Sequence, residues 1–573
     1  MSDILFLILR RLRAPLITVI VVYAISVGGL ALIPGVTPEG ERVPMSIFHA
    51  FYFMSFTATT IGFGEIPYPF TDAQRLWVTF AIYLSVVGWA YTLGSVIALA
   101  NDAPFRTMLR RSVFNRQVRG LAEPFYVLCG YGQSGSRLAR ALDRLGNRLV
   151  IVDPSSERMA PVAVQEYGTR PLTLAADARL ADVLVDSGVR SPLCLGLIAL
   201  AGEDSVNQAI AIDARVLNPG IPIIARAKSA VAKVSLESFG GVTVINPFET
   251  FAYNLGVSLR APEIVQIEDW LTATDGTPIP PAVQPPHGRW VLVGFGRFGR
   301  AISNVLDRAG IEWKAFDPRA VIETDERLVH GDYAENILHD AGVEVADVLV
   351  ASADNDAVNL GATTLARRVK PDIFVVIRQN QMQDRALVDA ARANLKFVQS
   401  DIMVNECLQV LKAPMLSRFI AQLRAGDREQ ATAVLNRVRK EVGDGSPHSW
   451  AFECDVLQPG MFYAFFQRVG KPFRVQHLLA DPTNPGARMS VTPAMLERDE
   501  ETLMLPPDDT LLKPGDRILF LGNDVARRLQ QRYLIEPGTV AWVCTGSEPA
   551  RGFLFRWWEQ RQRARAGAAD GQA

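Results

Sequence analysis

FYVLCGYGQSGSRLARALDRLGNRLVIVDP, residues 125–154, reads as strand, turn, helix and strand, and residues 289–318, RWVLVGFGRFGRAISNVLDRAGIEWKAFDP, repeat that order. Each copy enters a Gly-x-Gly-x-x-Gly turn, through Gly130, Gly132 and Gly135 in the first and Gly294, Gly296 and Gly299 in the second. Small residues are needed there for the tight turn, for close approach of backbone to a pyrophosphate and for packing the helix on its strand, while the helix N-terminus attracts phosphates. Asp153 and Asp317 each lie 23 residues after the first glycine. A carboxylate at that place can accept hydrogen bonds from both ribose hydroxyls and repels a 2′-phosphate. One such turn is weak evidence. Two copies 164 residues apart, with matched aspartates, specify two Rossmann-like units.

The similarity runs on through Asp177 and Asp332, Asn207 and Asn359, and Arg226 and Arg378. Each arginine follows its asparagine by 19 residues and ends an apolar run, IPIIAR or IFVVIR, that reads as a buried parallel strand. Ligands bind at such strand ends, and a guanidinium there suits an anion; the competing reading is an ion pair. Gln133, Arg137 and Arg158 accompany the first turn, and Arg297, Arg300 and Arg319 the second. The spacing makes both copies candidates for an adenine nucleotide or dinucleotide such as NAD, without ranking them.

Upstream stands Thr59-Thr60-Ile61-Gly62-Phe63-Gly64-Glu65. Backbone carbonyls can line a narrow pore and replace an ion's hydration shell where glycines permit conformations a side chain forbids. Thr60, Ile61, Gly62 and Phe63 are the candidate rings of carbonyl oxygen for K+, one set from each of four subunits. The flanks fit: residues 16–34 and 76–100 carry no charge, and about 20 apolar residues cross a bilayer. SIFHAFYFMSFTA, 46–58, suits a short helix whose partially negative C-terminal end faces a cation. Arg10, Arg11 and Arg13 precede the first span, and Arg106, Arg110, Arg111, Arg116 and Arg119 follow the second, which places both termini in the cytoplasm of a multi-pass protein of the cell inner membrane. Residues 2–13 read equally well as an interfacial helix or as the start of the first span.

The 573 residues carry a net charge of −1, which gives no basic field for nucleic acid. Five scattered cysteines and six dispersed histidines form no metal spacing and suit a reduced interior.

Together these residues resemble prokaryotic two-transmembrane potassium channels whose cytoplasmic part is built of RCK (regulator of potassium conductance, TrkA-N type) domains, and most of all the tandem GsuK-type channels. The filter is similar to the family's TTVGYGD with three substitutions. The resemblance implies a homotetramer in membrane lipid, with eight RCK units in a gating ring. It implies a membrane α-helical pore domain over 1–100, a linker over 101–123, a first α/β RCK domain with dimerising helix over 124–270 and a Pro-rich connector over 271–288. A second RCK domain would follow over 289–430, then a small C-terminal α+β ligand-binding subdomain over 431–525 and a tail over 526–573. Gly88 falls where the family often has a hinge glycine, with Gly94 as a second candidate; the alternative for either is close helix packing. Phe63 lacks the family tyrosine's hydroxyl, and Phe53 and Glu65 replace its tryptophan and aspartate, so the hydrogen-bond network around the filter must differ. Arg226 and Lys228 stand where some relatives bind calcium through carboxylates; that site is expected to be absent, and calcium elsewhere is left open and unlocated.

The expected function is therefore a potassium channel gated by cytoplasmic ligands and not an enzyme. Two other readings stand beside it. A dehydrogenase shares the fingerprint, but the short connector leaves no room for a substrate domain. A regulatory subunit of a separate potassium transporter would lack the pore. The basic, aromatic RGFLFRWWEQRQRARAG of the tail fits a membrane surface or a solvated end.

Overall fold

The computed structural model describes residues 2–273, 276–318, 325–330, 342–466, 472–499 and 501–546. Asp332, Arg319 and the basic segment of the tail lie outside the described residues. The chain divides into two compact units, one essentially residues 1–122 and the other nearly all that follows.

In the first unit, helix α1 (Ser2–Leu32) and helix α3 (Asp72–Asn101) contain the two segments long and apolar enough to cross a membrane, Arg10–Leu32 and Asp72–Asn101. Residues 2–13 belong to the same unbroken helix as the span rather than to a separate interfacial one. The two helices approach closely because Gly29 has no side chain: a Cβ there would collide with the Trp77 ring, whose Nε1 donates to Ser26 O at 3.0 Å. A short antiparallel pair, β1 (Pro34–Val36) and β2 (Arg42–Pro44), leads to helix α2 (Ile47–Ala58), capped by the Ser46 hydroxyl. Leu30, Ala50, Phe53, Met54, Phe56, Phe70, Val78 and Ala81 form the core between these elements. Large apolar side chains such as Ile20, Leu76, Tyr83 and Val87 stay exposed, as a hydrocarbon-facing surface requires. Helix α4 (Ala103–Arg119) follows α3 after Asp102.

The second unit holds two six-stranded parallel sheets. Strands β3 (Phe125–Cys129), β4 (Arg148–Asp153), β5 (Leu172–Ala175), β6 (Cys194–Ala199), β7 (Ile223–Arg226) and β8 (Val242–Ile245) make the first, in the order β5-β4-β3-β6-β7-β8. The second uses β9 (Trp290–Val293), β10 (Trp313–Phe316), β11 (Leu328–Val329), β12 (Val348–Ala351), β13 (Phe374–Gln379) and β14 (Leu395–Val398), in the order β11-β10-β9-β12-β13-β14. Both orders reverse beside the first strand of the copy, which creates the crevice where α/β folds bind ligands. Strands β3, β9 and β12 are buried throughout, as strands covered on both faces must be.

The segment between the copies is helical, Pro247–Arg260 and Pro262–Thr272. Its side chains Ile264, Trp270 and Leu271 share a core with Phe419, Val434, Met495 and Leu519 of the C-terminal part. That part carries helices Pro414–Ala425 and Arg428–Val442 and an antiparallel sheet of His448–Glu453, Arg517–Gly522, Val491–Arg498 and Glu501–Met504, in that order. The fold is thus a membrane helical pair with two Rossmann-like domains and a small α+β subdomain.

Candidate functional site

Two places gather the residues singled out by sequence, one in each unit. In the first, helix α2 ends at the heptapeptide. The helix's last carbonyls are taken up by the loop's own amides: Thr59 N donates to Ser55 O at 3.2 Å, Thr60 N to Thr57 O at 3.0 Å, and Ile61 N to Phe56 O at 2.9 Å. Thr60, Gly62 and Gly64 have φ of 65°, 66° and 94°, so every second residue is left-handed. Alternation of positive and negative φ lets successive carbonyls face one way; glycine takes the positive φ at no steric cost at 62 and 64, while Thr60 takes it with a side chain in place. No atom lies within 4 Å of a Cβ added at Gly62 or Gly64, so conformation, not crowding, selects glycine there. Ile61 and Phe63 are exposed in the single chain.

The substituted positions form an aromatic set. Phe63 meets Phe56 edge-on at 5.3 Å, and Phe53 contacts Phe56 at 5.2 Å and Phe70 at 4.8 Å. Ring packing thus braces the loop, each aromatic pair contributing about 0.5–1.5 kcal/mol. Helix α3 passes unbroken through Gly88 and Gly94. Gly88 is buried against Val22, with 3.4 Å left to a Cβ, while Gly94 faces open space.

In the second unit, a cavity of 760 Å³ opens at the C-terminal strand edge of the first sheet. Its floor is the first glycine turn, Gly130, Gly132 and Gln133, which leads into helix α5 (Gln133–Arg144). Gly130 is left-handed, φ 101°, and a Cβ on it would stand 2.8 Å from Ala201 N; a Cβ on Gly135 would strike Gly130 O. Gly132 has nothing within 4 Å, which leaves its backbone free to meet a phosphate. The second copy repeats all three conditions at Gly294, Gly299 and Gly296.

Asp153 is buried, and its carboxylate already accepts from Tyr131 N at 2.7 Å, Ser155 N at 2.8 Å and Arg158 at 2.9 Å. Asp317 accepts from Phe295 N at 2.8 Å. Both therefore brace the glycine turn in this state, beyond the ribose contact their spacing suggested. Asp177 lines the cavity and pairs with Arg179 at 2.6 Å. Asn207 and Asn359 act as clamps: each Oδ1 accepts from the amide of the second residue past a central strand, Ala201 or Ala353, and each Nδ2 donates to that residue's carbonyl and to Arg226 O or Arg378 O at 2.9 Å. Their 19-residue spacing from the arginines is the span of that clamp.

The arginines diverge. Arg226 is 8% exposed; Nη2 donates to Ala201 O, Nε is buried with no partner, and among the described residues no carboxylate pairs with it. Arg378, on the opposite wall, is paired with Asp354 at 2.5 Å. Arg297 and Arg378 both lie over the Phe248 ring, at 5.8 and 5.4 Å. Burial first, and then the charges of Arg226, Arg297 and Arg378, push the Lys228 ammonium down to about 8. Burial likewise lowers Arg226 and Arg378 from the usual guanidinium range.

Sequence reading did not find the far wall, Gln379 to Met382 with Ser400, because the second copy supplies it to the first copy's cavity. Arg137 joins the two, donating to Ser400 Oγ at 3.1 Å and pairing with Asp401 at 2.5 Å. Among the described residues no three His, Cys, Asp or Glu side chains gather as a metal site. Burial pushes the Cys129 thiol beside the turn up to about 12, which removes it as a nucleophile at neutral pH.

A family model described as "Ion channel" matches residues 16–101, and one described as "TrkA-N domain" matches residues 126–247 and again 290–398. Potassium channel protein 1 of Methanocaldococcus jannaschii is 28% identical over 228 residues, covering 40% of this chain and 67% of that protein. Probable potassium channel protein 2 of the same organism is 29% identical, covering 35% and 57%, and the voltage-gated potassium channel Kch of Escherichia coli is 21% identical, covering 38% and 49%. The chain thus spans about half to two thirds of the length of these relatives. Among solved structures, the GsuK channel bound to NAD is 16% identical, with 93% of this chain and 99% of that chain covered at a TM-score of 0.45. GsuK bound to ADP is 19% identical, covering 72% and 100%, at 0.43. The chain thus joins an ion-channel domain, which spans its two apolar helices, to two TrkA-N domains that follow it in sequence.

Proposed function

We propose that the chain is a potassium channel, a homotetramer in the plasma membrane with both termini cytoplasmic, gated by an adenine nucleotide or dinucleotide held in the cavity of the first TrkA-N domain. The observation that carries the pore half is the alternating left-handed backbone at Thr60, Gly62 and Gly64 at the end of a short apolar helix. Four such loops around an axis present stacked carbonyl rings, and a K+ ion exchanges water for them. The transporter-subunit reading is disfavoured by the ion-channel match over residues 16–101.

The cavity fits the nucleotide. Gly132 leaves room for a phosphate, the orphaned Arg226 Nε is a donor without an acceptor, and Lys228 adds positive charge. In this reading the phosphates meet the α5 N-terminus and Arg226, while Asp153 stands beside the ribose. Gating then follows from differential affinity alone: a tenfold preference for one ring conformation supplies about 1.4 kcal/mol per site, and equivalent sites multiply it.

Purified full-length protein in K+-loaded liposomes tests the pore. K+ efflux that greatly exceeds Na+ efflux, and that is lost on deleting residues 1–100, is the expected result. Equal permeability to the two ions rejects the selectivity, and no flux from the intact chain rejects the pore.

A further inference from the structure

The filter of this chain ends in glutamate, and the glutamate is not free. Glu65 Oε1 accepts from Arg75 Nε at 2.9 Å, and Oε2 accepts from Arg75 Nη2 at 3.2 Å and from the Phe70 amide at 2.8 Å. The arginine grips both carboxylate oxygens in a fork, the geometry that fixes direction as well as distance. Arg75 itself sits on a fixed base. It lies in the first turn of α3, which a capping box of Thr71 and Gln74 closes, and the buried Gln74 amide donates to Ile33 O at 3.3 Å beyond the end of α1.

The rest of the loop is held differently. Its inner end is bonded to helix α2 through the Thr59 hydroxyl, which donates to Ser55 O at 2.8 Å, and through Ile61 N. Its middle has ring contact at Phe63 but no side-chain hydrogen bond, since phenylalanine offers none. From Gly62 onward, Glu65 is the residue whose side chain ties the loop to a helix by polar bonds.

We infer that Arg75 is a positioning residue for the selectivity filter: through Glu65 it fixes the outer end of the loop to the membrane helices, taking over the anchoring that Phe63 cannot give. This rests on the reading of 59–65 as a potassium filter. The arginine also neutralises a carboxylate next to Gly64, where an unpaired charge would draw in cations without regard to size. Removing it frees the last turn of the loop, so the carbonyl rings lose register and the filter spends less time conducting. A single exposed ion pair is weak, but four act on one filter, and their product gives an effect on the order of tenfold.

Single-channel recording in planar bilayers under K+/Na+ bi-ionic conditions provides the test, on full-length tetramer verified by light scattering. Arg75→Ala and Glu65→Gln are each expected to shorten mean open time about tenfold and to lower K+ over Na+ selectivity, and the double variant to be no worse than either single one. Arg75→Lys is expected to recover part of the open time, and the exchange of Glu65→Arg with Arg75→Glu to recover more than either half. Should Arg75→Ala fail to assemble, the isosteric Glu65→Gln carries the comparison. Wild-type open times and selectivity in Glu65→Gln, or effects that add independently in the double variant, overturn the inference. Absence of K+ current from the wild type overturns the filter reading itself, whereas normal wild-type current with indifferent variants overturns the bracket alone.

Discussion

The two Rossmann-like copies are alike wherever the backbone decides and unlike wherever a ligand would. Gly130 and Gly294 have φ of 101° and 98°, and a Cβ on either would stand 2.8 Å from an amide nitrogen, that of Ala201 or Ala353. Gly135 and Gly299 both press on the carbonyl of that first glycine, and Asn207 and Asn359 make the same clamp. Yet Arg226 keeps a buried, unpartnered Nε over a 760 Å³ cavity, while Arg378 is neutralised by Asp354 and serves as the far wall of that same cavity. The comparison separates two roles of one motif. The first and third glycines and the asparagine serve the fold; the middle glycine, the arginine and its surroundings are the part that the proposed function assigns to binding.

The largest expected effects fall equally on both copies. Gly130→Ala and Gly294→Ala each force a side chain into a left-handed, crowded position and are expected to cost about 2–4 kcal/mol, read as a drop in thermal or denaturant midpoint. If one copy tolerates the change and the other does not, the shared packing role is broken. Asn207→Ala and Asn359→Ala leave a buried amide and carbonyl unsatisfied and should each lose about 1–3 kcal/mol in the same assay.

The next effect should be one-sided. Arg226→Ala is expected to weaken nucleotide binding about tenfold to a hundredfold by calorimetry, since a charge-assisted bond contributes about 1.5–3 kcal/mol. Arg378→Ala should do less, because its guanidinium is already satisfied by Asp354. Equal losses would show that the copies bind alike.

The smallest effect is a pH dependence. Lys228 titrates at about 8 in the free protein, so it is charged below that pH and neutral above it. An anion raises the lysine's pKa, so binding takes up a proton above pH 8, and affinity should fall by up to about tenfold per pH unit as pH rises from there. Lys228→Arg should flatten the profile. An unchanged slope in that variant would place the proton elsewhere.

Much of this was legible in the chain. Periodicity and glycine spacing specify the parallel sheets because those signals are local, and the uncharged runs around Thr59–Glu65 specify the membrane helices for the same reason. Sequence also singled out Arg226 and Arg378 as a pair. It could not say that Asp354 pairs with one while, among the described residues, no carboxylate pairs with the other, because that depends on side chains brought together by packing. Arg75 escaped notice for a similar reason: ten residues beyond Glu65, on another element, it belongs to no motif. Sequence left Gly88 as either a hinge or a packing glycine, and in this state it packs on Val22 within an unbroken helix.

The central claim is that a nucleotide in the first copy's cavity controls K+ flow through the filter. K+ efflux from liposomes holding wild-type or Arg226→Ala protein, measured with NAD, NADH, ADP and ATP added in turn, tests it most directly. The account predicts that at least one nucleotide changes the wild-type flux and that Arg226→Ala shifts that response to about tenfold or higher concentration, with the maximal K+ flux retained. Wild-type flux indifferent to every nucleotide, together with purified protein that carries none, would contradict it.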